Sequence, residues 1–315
     1  MKKDEIKAYM IYLGTRMWTR APERLESEYP AWEKITQQLP AAGLNMLVID
    51  LGEGVQYKSH PELAVPGSWT TEKLREELKR LRGLGIEPIP KLNFSTTHDL
   101  WLGEYERMVS TKPYYNVCTD LIKEVCDLFD GPRFFHLGFD EEGERHQEVK
   151  GYDMMILRQG ELWWHDFLLL SGAVEKCGAR SWIWSDKYWT DPQEFLKLMP
   201  KSVMQSVWYY DASFDIEELK THEQEELAKE RRRLVNWKRV QSFLDLDKAG
   251  FEQVPCGSNW ACAENFGNLV KFCRANLTPS LLKGFFMAPW KSTLPKALPG
   301  HEAAIGIAKA ALEGV

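Results

Sequence analysis

The chain has 315 residues, 44% of them apolar and 27% charged, with a formal net charge of −6. Such a composition describes a globular chain with a large core, and its acidic balance excludes nucleic acid as an expected partner. No stretch approaches the roughly 18 apolar residues that span a bilayer, so no membrane partner is expected.

Residues 1–10 are charged and lack the apolar core and cleavage site of a secretory leader, so the chain as given reads as cytoplasmic, with a removed leader left open. They run directly into the first short apolar run, residues 8–13. An amphipathic segment at 32–44 leads to the second run at 45–50, and a helix over 71–84, closed by Gly85, leads to the third at 87–93. The fourth run, 134–140, follows a helix at 116–129. The fifth, 181–185, follows a long helical stretch at 154–177 that stops at Gly178. The sixth is 203–210, the seventh 253–256 after a helix at 240–249, and the eighth 284–288 after 269–275. A last helix at 301–312 completes the cycle. Glycine after a long periodic stretch adopts the left-handed conformation that ends a helix. Eight alternating strand–helix pairs with no linker predict an α/β fold, a single-domain (β/α)8 TIM barrel over residues 1–315.

Other features read as structural. Lys229-Glu230-Arg231-Arg232-Arg233, after the acidic Glu223–Glu226 stretch, is expected to be a solvated mixed-charge helix face. The cysteines (118, 126, 177, 256, 262, 273) form no CxxC pair and are expected as buried or free thiols. Trp163-Trp164 is assigned to packing. The 13 tryptophans are unusual, and indoles make apolar platforms that suit the C–H faces of sugar rings.

In such barrels function gathers at the C-terminal ends of the strands. Those ends carry Arg16 and Trp18, then Asp50, Asn93 and His98, Asp140 and Glu141, Trp184 and Asp186, Trp208 to Asp211, Asn259 and Trp260, and Trp290. The fourth run is the most informative. Side chains alternate along a strand, so Phe135, Leu137 and Phe139 point beneath the helices while His136, Gly138 and Asp140 face the axis. A histidine and an aspartate are poor core material unless partnered, and Gly138 leaves room beside them. The structural alternative has Asp140 capping a helix, with Glu141 and Glu142 solvated.

The pattern His136-x-Gly138-x-Asp140-Glu141 resembles the HxGxDE motif of family 20 glycoside hydrolases, the β-N-acetylhexosaminidases. The resemblance implies a carbohydrate substrate and retaining, substrate-assisted hydrolysis without a cofactor. Glu141 would be the general acid, with a raised pKa, and Asp140 would assist the substrate's 2-acetamido group. More loosely, it makes Arg16 a substrate clamp and Asp50 a site residue, with His98 supporting the acids and His136 beside them. Trp184, Trp208, Trp260 and Trp290 would form an aromatic cage. Asp186 would hold ring hydroxyls, and either Tyr209 or Tyr210 would donate to the acetamido oxygen. The third strand departs from the family, with Lys91 and Asn93 in place of two acids. The compact length leads us to expect a bare catalytic barrel, without the additional non-barrel domain often found before it in that family.

Three alternatives stay open. One is a sugar-binding protein on a decayed hydrolase barrel. Another is a glycosidase with a protein nucleophile, Asp186, Asp211 or Asp50; the seventh and eighth strand ends offer no carboxylate. The third is a metal-dependent hydrolase using His98, His136 and Asp140, although no HxH-type spacing supports zinc and no metal is expected. The sugar, the linkage and the oligomeric state are not encoded in any readable pattern.

Overall fold

The first apolar run forms strand β1 (Ile6–Tyr12), buried along nearly its whole length and flanked by β2 (Met46–Asp50) and β8 (Gly284–Met287). This computed structural model describes residues 5–14, 23–143, 156–227 and 236–314. Arg16, Trp18 and the run from Lys229 to Arg233 lie outside the described residues.

The other strands are β3 (Glu87–Lys91), β4 (Phe134–His136), β5 (Arg180–Trp184), β6 (Met204–Ser206) and β7 (Cys256–Gly257). Each named pairing is parallel, and the order runs β6-β5-β4-β3-β2-β1-β8-β7. Isolated bridges join the two ends, Gln205 to Gln253 and Trp208 to Cys256. Amides of Val254 and Cys256 donate there to Gln205 and Val207 carbonyls at 2.9 Å. The expected eight-stranded barrel is therefore present, with β6–β7 its least regular joint.

Side-chain alternation divides the core in two. Ala8, Met10, Tyr12, Val48, Ile89, Phe134, Trp182, Trp184 and Phe286 fill the barrel, and Tyr9, Ile11, Ile49, Phe135, Leu137, Ile183 and Met287 pack outward under the helices. Around the ring lie α1 (Tyr29–Gln38), α2 (Thr71–Gly83), α3 (Lys112–Leu128) and α4 (Gly160–Lys176). Two short helices follow β5, α5 (Lys187–Thr190) and α6 (Pro192–Leu198). Then come α7 (Ile216–Leu227), α8 (Asn236–Lys248), α9 (Asn265–Asn276) and α10 (Leu298–Glu313). Gly85 and Gly178 take φ of 78° and 79°, as helix stops require. Trp163 and Trp164 are buried, packing on Phe167 as expected. All six cysteines are free thiols. No described helix is long and apolar enough to cross a membrane.

The boundaries differ from the sequence expectation where backbone chemistry intervenes. Helix α1 stops before Pro40, which opens a short 3-10 turn ended by left-handed Gly43 (φ 71°). The fourth strand ends at His136 because Gly138 turns the chain (φ 75°). Helix α8 is already formed at Asn236, where the described residues resume, so Arg239 lies on it.

Candidate active site

Past β4 the backbone abandons the extended conformation. Gly138, Phe139 and Glu141 have φ of 75°, 63° and 55°. Left-handed backbone at a non-glycine residue costs about 1–3 kcal/mol and persists where the surroundings over-determine it. Two supports are visible here. Phe139 is pinned outward between Trp163 and Phe167, with ring centres 5.4 and 5.5 Å away. Gly138 lies so close to Asn93 that a Cβ would fall 2.0 Å from Asn93 Oδ1. That close approach lets Asn93 Nδ2 donate to Asp140 Oδ1 at 2.9 Å while Asn93 Oδ1 accepts from the Ser95 amide at 3.0 Å.

The loop after β3 holds both acids. Ser95 Oγ donates to the Asp140 carbonyl and Thr97 Oγ1 to the Glu141 carbonyl (2.8 Å). His98 Nε2 lies 3.1 Å from Glu141 Oε2 and 3.6 Å from Asp140 Oδ2. From β5, Asp186 Oδ2 accepts the Glu141 amide at 2.7 Å, and its Oδ1 accepts from Trp208 Nε1 at 3.4 Å. Asp140 is buried and Glu141 keeps 15% of its side chain exposed.

Burial raises the Asp140 carboxyl to about 6; His98 opposes this and the Asp186 charge adds to it. Asp186 rises to about 7, again through burial, against the hydrogen bond from the Glu141 amide. The result is a set of carboxyl groups poised to share protons near neutral pH. Among the described residues, His98, Asp140 and Glu141 are also the one group spaced to hold a metal ion, their ligand atoms lying within 4.8 Å of one another. His136 is not part of that group, contrary to the set drawn from sequence.

Beneath the acids lies a polar floor. Asp50 is taken up by Lys91, whose Nζ donates to Oδ2 and whose side chain is 1% exposed. Asp50 is thus buried in an ion pair, with its carboxyl pushed up by burial. His136 faces the axis as expected, 4.6 Å from the Trp184 ring, and burial together with Lys91 keeps it neutral, far below the usual imidazole range. Its Nδ1 accepts from the Gly138 amide at 3.1 Å.

The four indoles expected to form an aromatic cage lie close to one another or to Tyr210. Trp184 stacks on Phe286 at 5.3 Å and meets Trp290 at 5.7 Å. Trp208 stacks on Tyr210 at 5.3 Å, and Tyr210 lies 6.0 Å from Trp290 and 6.4 Å from Trp260. Trp260 stands at the edge, 65% exposed. The choice between the two tyrosines is decided by alternation: Tyr209 points outward against Phe214 (5.1 Å) in the layer under the helices, so Tyr210 faces the acids. Asp211 is exposed and accepts from Asn236 Nδ2 at 2.8 Å.

The sequence reading missed a second charged cluster. Glu142, expected to be solvated in the structural alternative, has a side chain only 5% exposed. It accepts from the Thr96 amide (2.9 Å) and from Arg158, which also donates to the Phe94 carbonyl (2.6 Å) and reaches Asp166 (3.4 Å). A lone arginine beside the aromatic-rich start of α4 was the available signal. At the opposite barrel end a shallow depression of about 630 Å³ is lined by Arg82, Glu87, Asp130 and Arg133, already paired as Arg82–Asp130 and Arg133–Glu87.

No protein-family model matches the chain and no curated protein sequence matches it. Solved structures do. A β-N-acetylhexosaminidase from Bacteroides fragilis matches with a TM-score of 0.63 at 13% identity, over 96% of this chain and 65% of that one. The Vibrio harveyi GH20 exo β-N-acetylglucosaminidase, solved with N-acetylglucosamine, matches with a TM-score of 0.64 at 13% identity, over 97% and 54%. Flavobacterium johnsoniae chitobiase matches at 0.61 and 18% identity, over 98% and 48%. The chain thus shares its fold with these proteins and spans about half to two thirds of their length.

Proposed function

We propose that the chain is a divergent family 20 glycoside hydrolase, cleaving a terminal N-acetylhexosamine with retention and without a cofactor. The observation that carries the reading is the meeting of Asp140, Glu141 and His98 at the C-terminal end of β4. The fold shared with β-N-acetylhexosaminidases supports it.

In this reading Glu141 is the general acid. Partly exposed and beside His98, its carboxyl protonates the departing glycosidic oxygen. The substrate's acetamido carbonyl oxygen attacks the anomeric carbon from the opposite face, and Asp140 accepts the acetamido N–H and stabilises the charge that develops there. Water, deprotonated by Glu141, then opens the cyclic intermediate and restores the configuration. Asn93 fixes the Asp140 rotamer, and Asp186 holds the Glu141 main chain. Tyr210 donates to the acetamido oxygen between the walls of Trp184, Trp208 and Trp290. A protein nucleophile fits less well, because both Asp186 oxygens are engaged and Asp50 is held by Lys91.

The test compares hydrolysis of an aryl N-acetyl-β-glucosaminide with that of the matching β-glucoside. Turnover confined to the acetamido sugar is the expected result; equal rates on both would overturn the mechanism. A second reading, sugar binding without hydrolysis, is favoured by the Lys91–Asp50 pair, which engages one expected site residue. Measurable sugar affinity with no turnover of either glycoside would establish it.

A further inference from the structure

Arg239 plays no part in the chemistry above, yet it borders the site. Its guanidinium carbon lies 4.8 Å from the Trp189 ring centre and 4.6 Å from that of Trp208. These indoles meet edge to face at 4.8 Å, so the cation sits in the corner between them. Both walls are anchored: Trp189 Nε1 donates to Ser242 Oγ at 3.0 Å, and Trp208 Nε1 to Asp186. Trp208 also stacks on Tyr210, which makes the corner continuous with the aromatic wall.

Among the described residues the Arg239 guanidinium has no hydrogen-bond or ion-pair partner, and its Nε is buried. Burial weakens its hold on the proton, while the charges of Glu141, Asp186 and Asp211 act in the opposite sense. Cation–π contact with the two indoles offsets part of the desolvation cost. It does nothing for the in-plane N–H donors. A guanidinium holds its donors in a rigid planar fork, the shape that grips a two-oxygen anion, and ring contacts do not use them. The neighbouring carboxylates do not take this position, since Asp186 is used by Glu141 and Trp208.

We propose that Arg239 receives an anionic oxygen group, a sulfate ester, phosphate ester or carboxylate, carried by the sugar substrate, so that charged glycosides are preferred over neutral ones. The inference rests on the hydrolase reading for its substrate class. It also explains how a site rich in carboxyl groups accepts an anion: one unpaired cation offsets their repulsion at the rim.

Three substrates test it: a neutral aryl N-acetyl-β-glucosaminide, its 6-O-sulfo derivative, and a neutral sugar with a 4-carboxyphenyl leaving group. A charge-assisted contact predicts a charged-to-neutral ratio of kcat/KM of about ten or more in one charged arm. The arm that responds tells whether sugar or leaving group bears the anion. Arg239→Met should bring that ratio to about one, and Arg239→Lys should retain part of it. A wild-type ratio at or below one in both arms overturns the proposal, as does a ratio unchanged in Arg239→Met. Should no glycoside turn over, the hydrolase reading fails by itself. The same three compounds are then titrated as ligands, and tighter binding of a charged one, lost in Arg239→Met, sustains the anion site. Equal affinities sink it.

Discussion

Two buried charge clusters lie side by side where β4 ends, and they are balanced in opposite ways. In one, Arg158 is enclosed by Glu142 and Asp166, and Ser110 and Tyr115 donate to Asp166 as well. Burial works against the Arg158 charge, but its negative partners together outweigh it and raise the pKa above the ordinary value. In the other, Asp140, Glu141 and Asp186 crowd together with His98 between two of them, and burial drives Asp140 and Asp186 toward neutrality. A saturated ion network has no reason to exchange protons at ordinary pH, whereas an under-compensated one does. Adjacent residues of one chain, Glu141 and Glu142, thus join different clusters: Glu142 is closed off by Arg158, and Glu141 sits among carboxyl groups and His98.

The contrast is broken most severely at Glu141. Glu141→Gln should lower kcat on an aryl N-acetyl-β-glucosaminide by about a thousandfold, the range of a lost general acid, while thermal unfolding stays near wild type. Loss of folding in step with activity would deny the two clusters their separate roles. Arg158→Met should do the reverse. Removing the cation leaves two buried carboxylates uncompensated, which costs about 3–5 kcal/mol of stability, readable by denaturant titration. A variant as stable as wild type would show that the network is not holding the loops.

A smaller effect sharpens the comparison through pH. Asp186 has its folded pKa raised above the ordinary carboxyl value, to about 7. The native state therefore binds its proton more tightly than the unfolded chain, and stability is lost as pH rises from about 4 through 7. Asp186→Asn should match wild type near pH 4 and exceed it at pH 8 by about 4 kcal/mol. Activity should fall in the same variant, because the Glu141 main chain loses a charged acceptor. A stability difference that does not change with pH would place the Asp186 charge elsewhere. Smallest of all, kcat/KM should decline below about pH 6 as Asp140 takes up its proton, since this parameter reports the free enzyme. A flat acid limb would remove Asp140 from the required ionised groups.

Much of the barrel was legible because it rests on local signals: apolar runs, helix stops at Gly85 and Gly178, and the two-residue period that sent Phe135 and Leu137 outward and His136 inward. The carboxyl pair was legible for the same reason, being one short string on one strand. Contacts across the barrel were not. Lys91 reaches Asp50 from the neighbouring strand, and Asn93 reaches Asp140 across the β3–β4 seam, so residues that read as departures from a motif prove to be engaged partners. Arg158 and Arg239 escaped notice because each arrives from a distant loop or helix, and the aromatic neighbours of Arg158 do not tell which carboxylates it will meet. Tyr209 and Tyr210 could not be separated by composition; only the ring contacts just past β6 assign their sides.

The contact between Asn93 and the bare α-carbon of Gly138 has a consequence for how this rim can drift over generations of sequence change. With 2.0 Å available where a methyl would go, the two positions form a lock that a single substitution cannot open. Position 93 must shorten before 138 can lengthen, and shortening it surrenders the amide that steadies Asp140. In a pool randomised at both sites and selected for folded protein, glycine at 138 should accompany nearly every polar residue at 93, with alanine at 138 surviving only beside glycine or alanine.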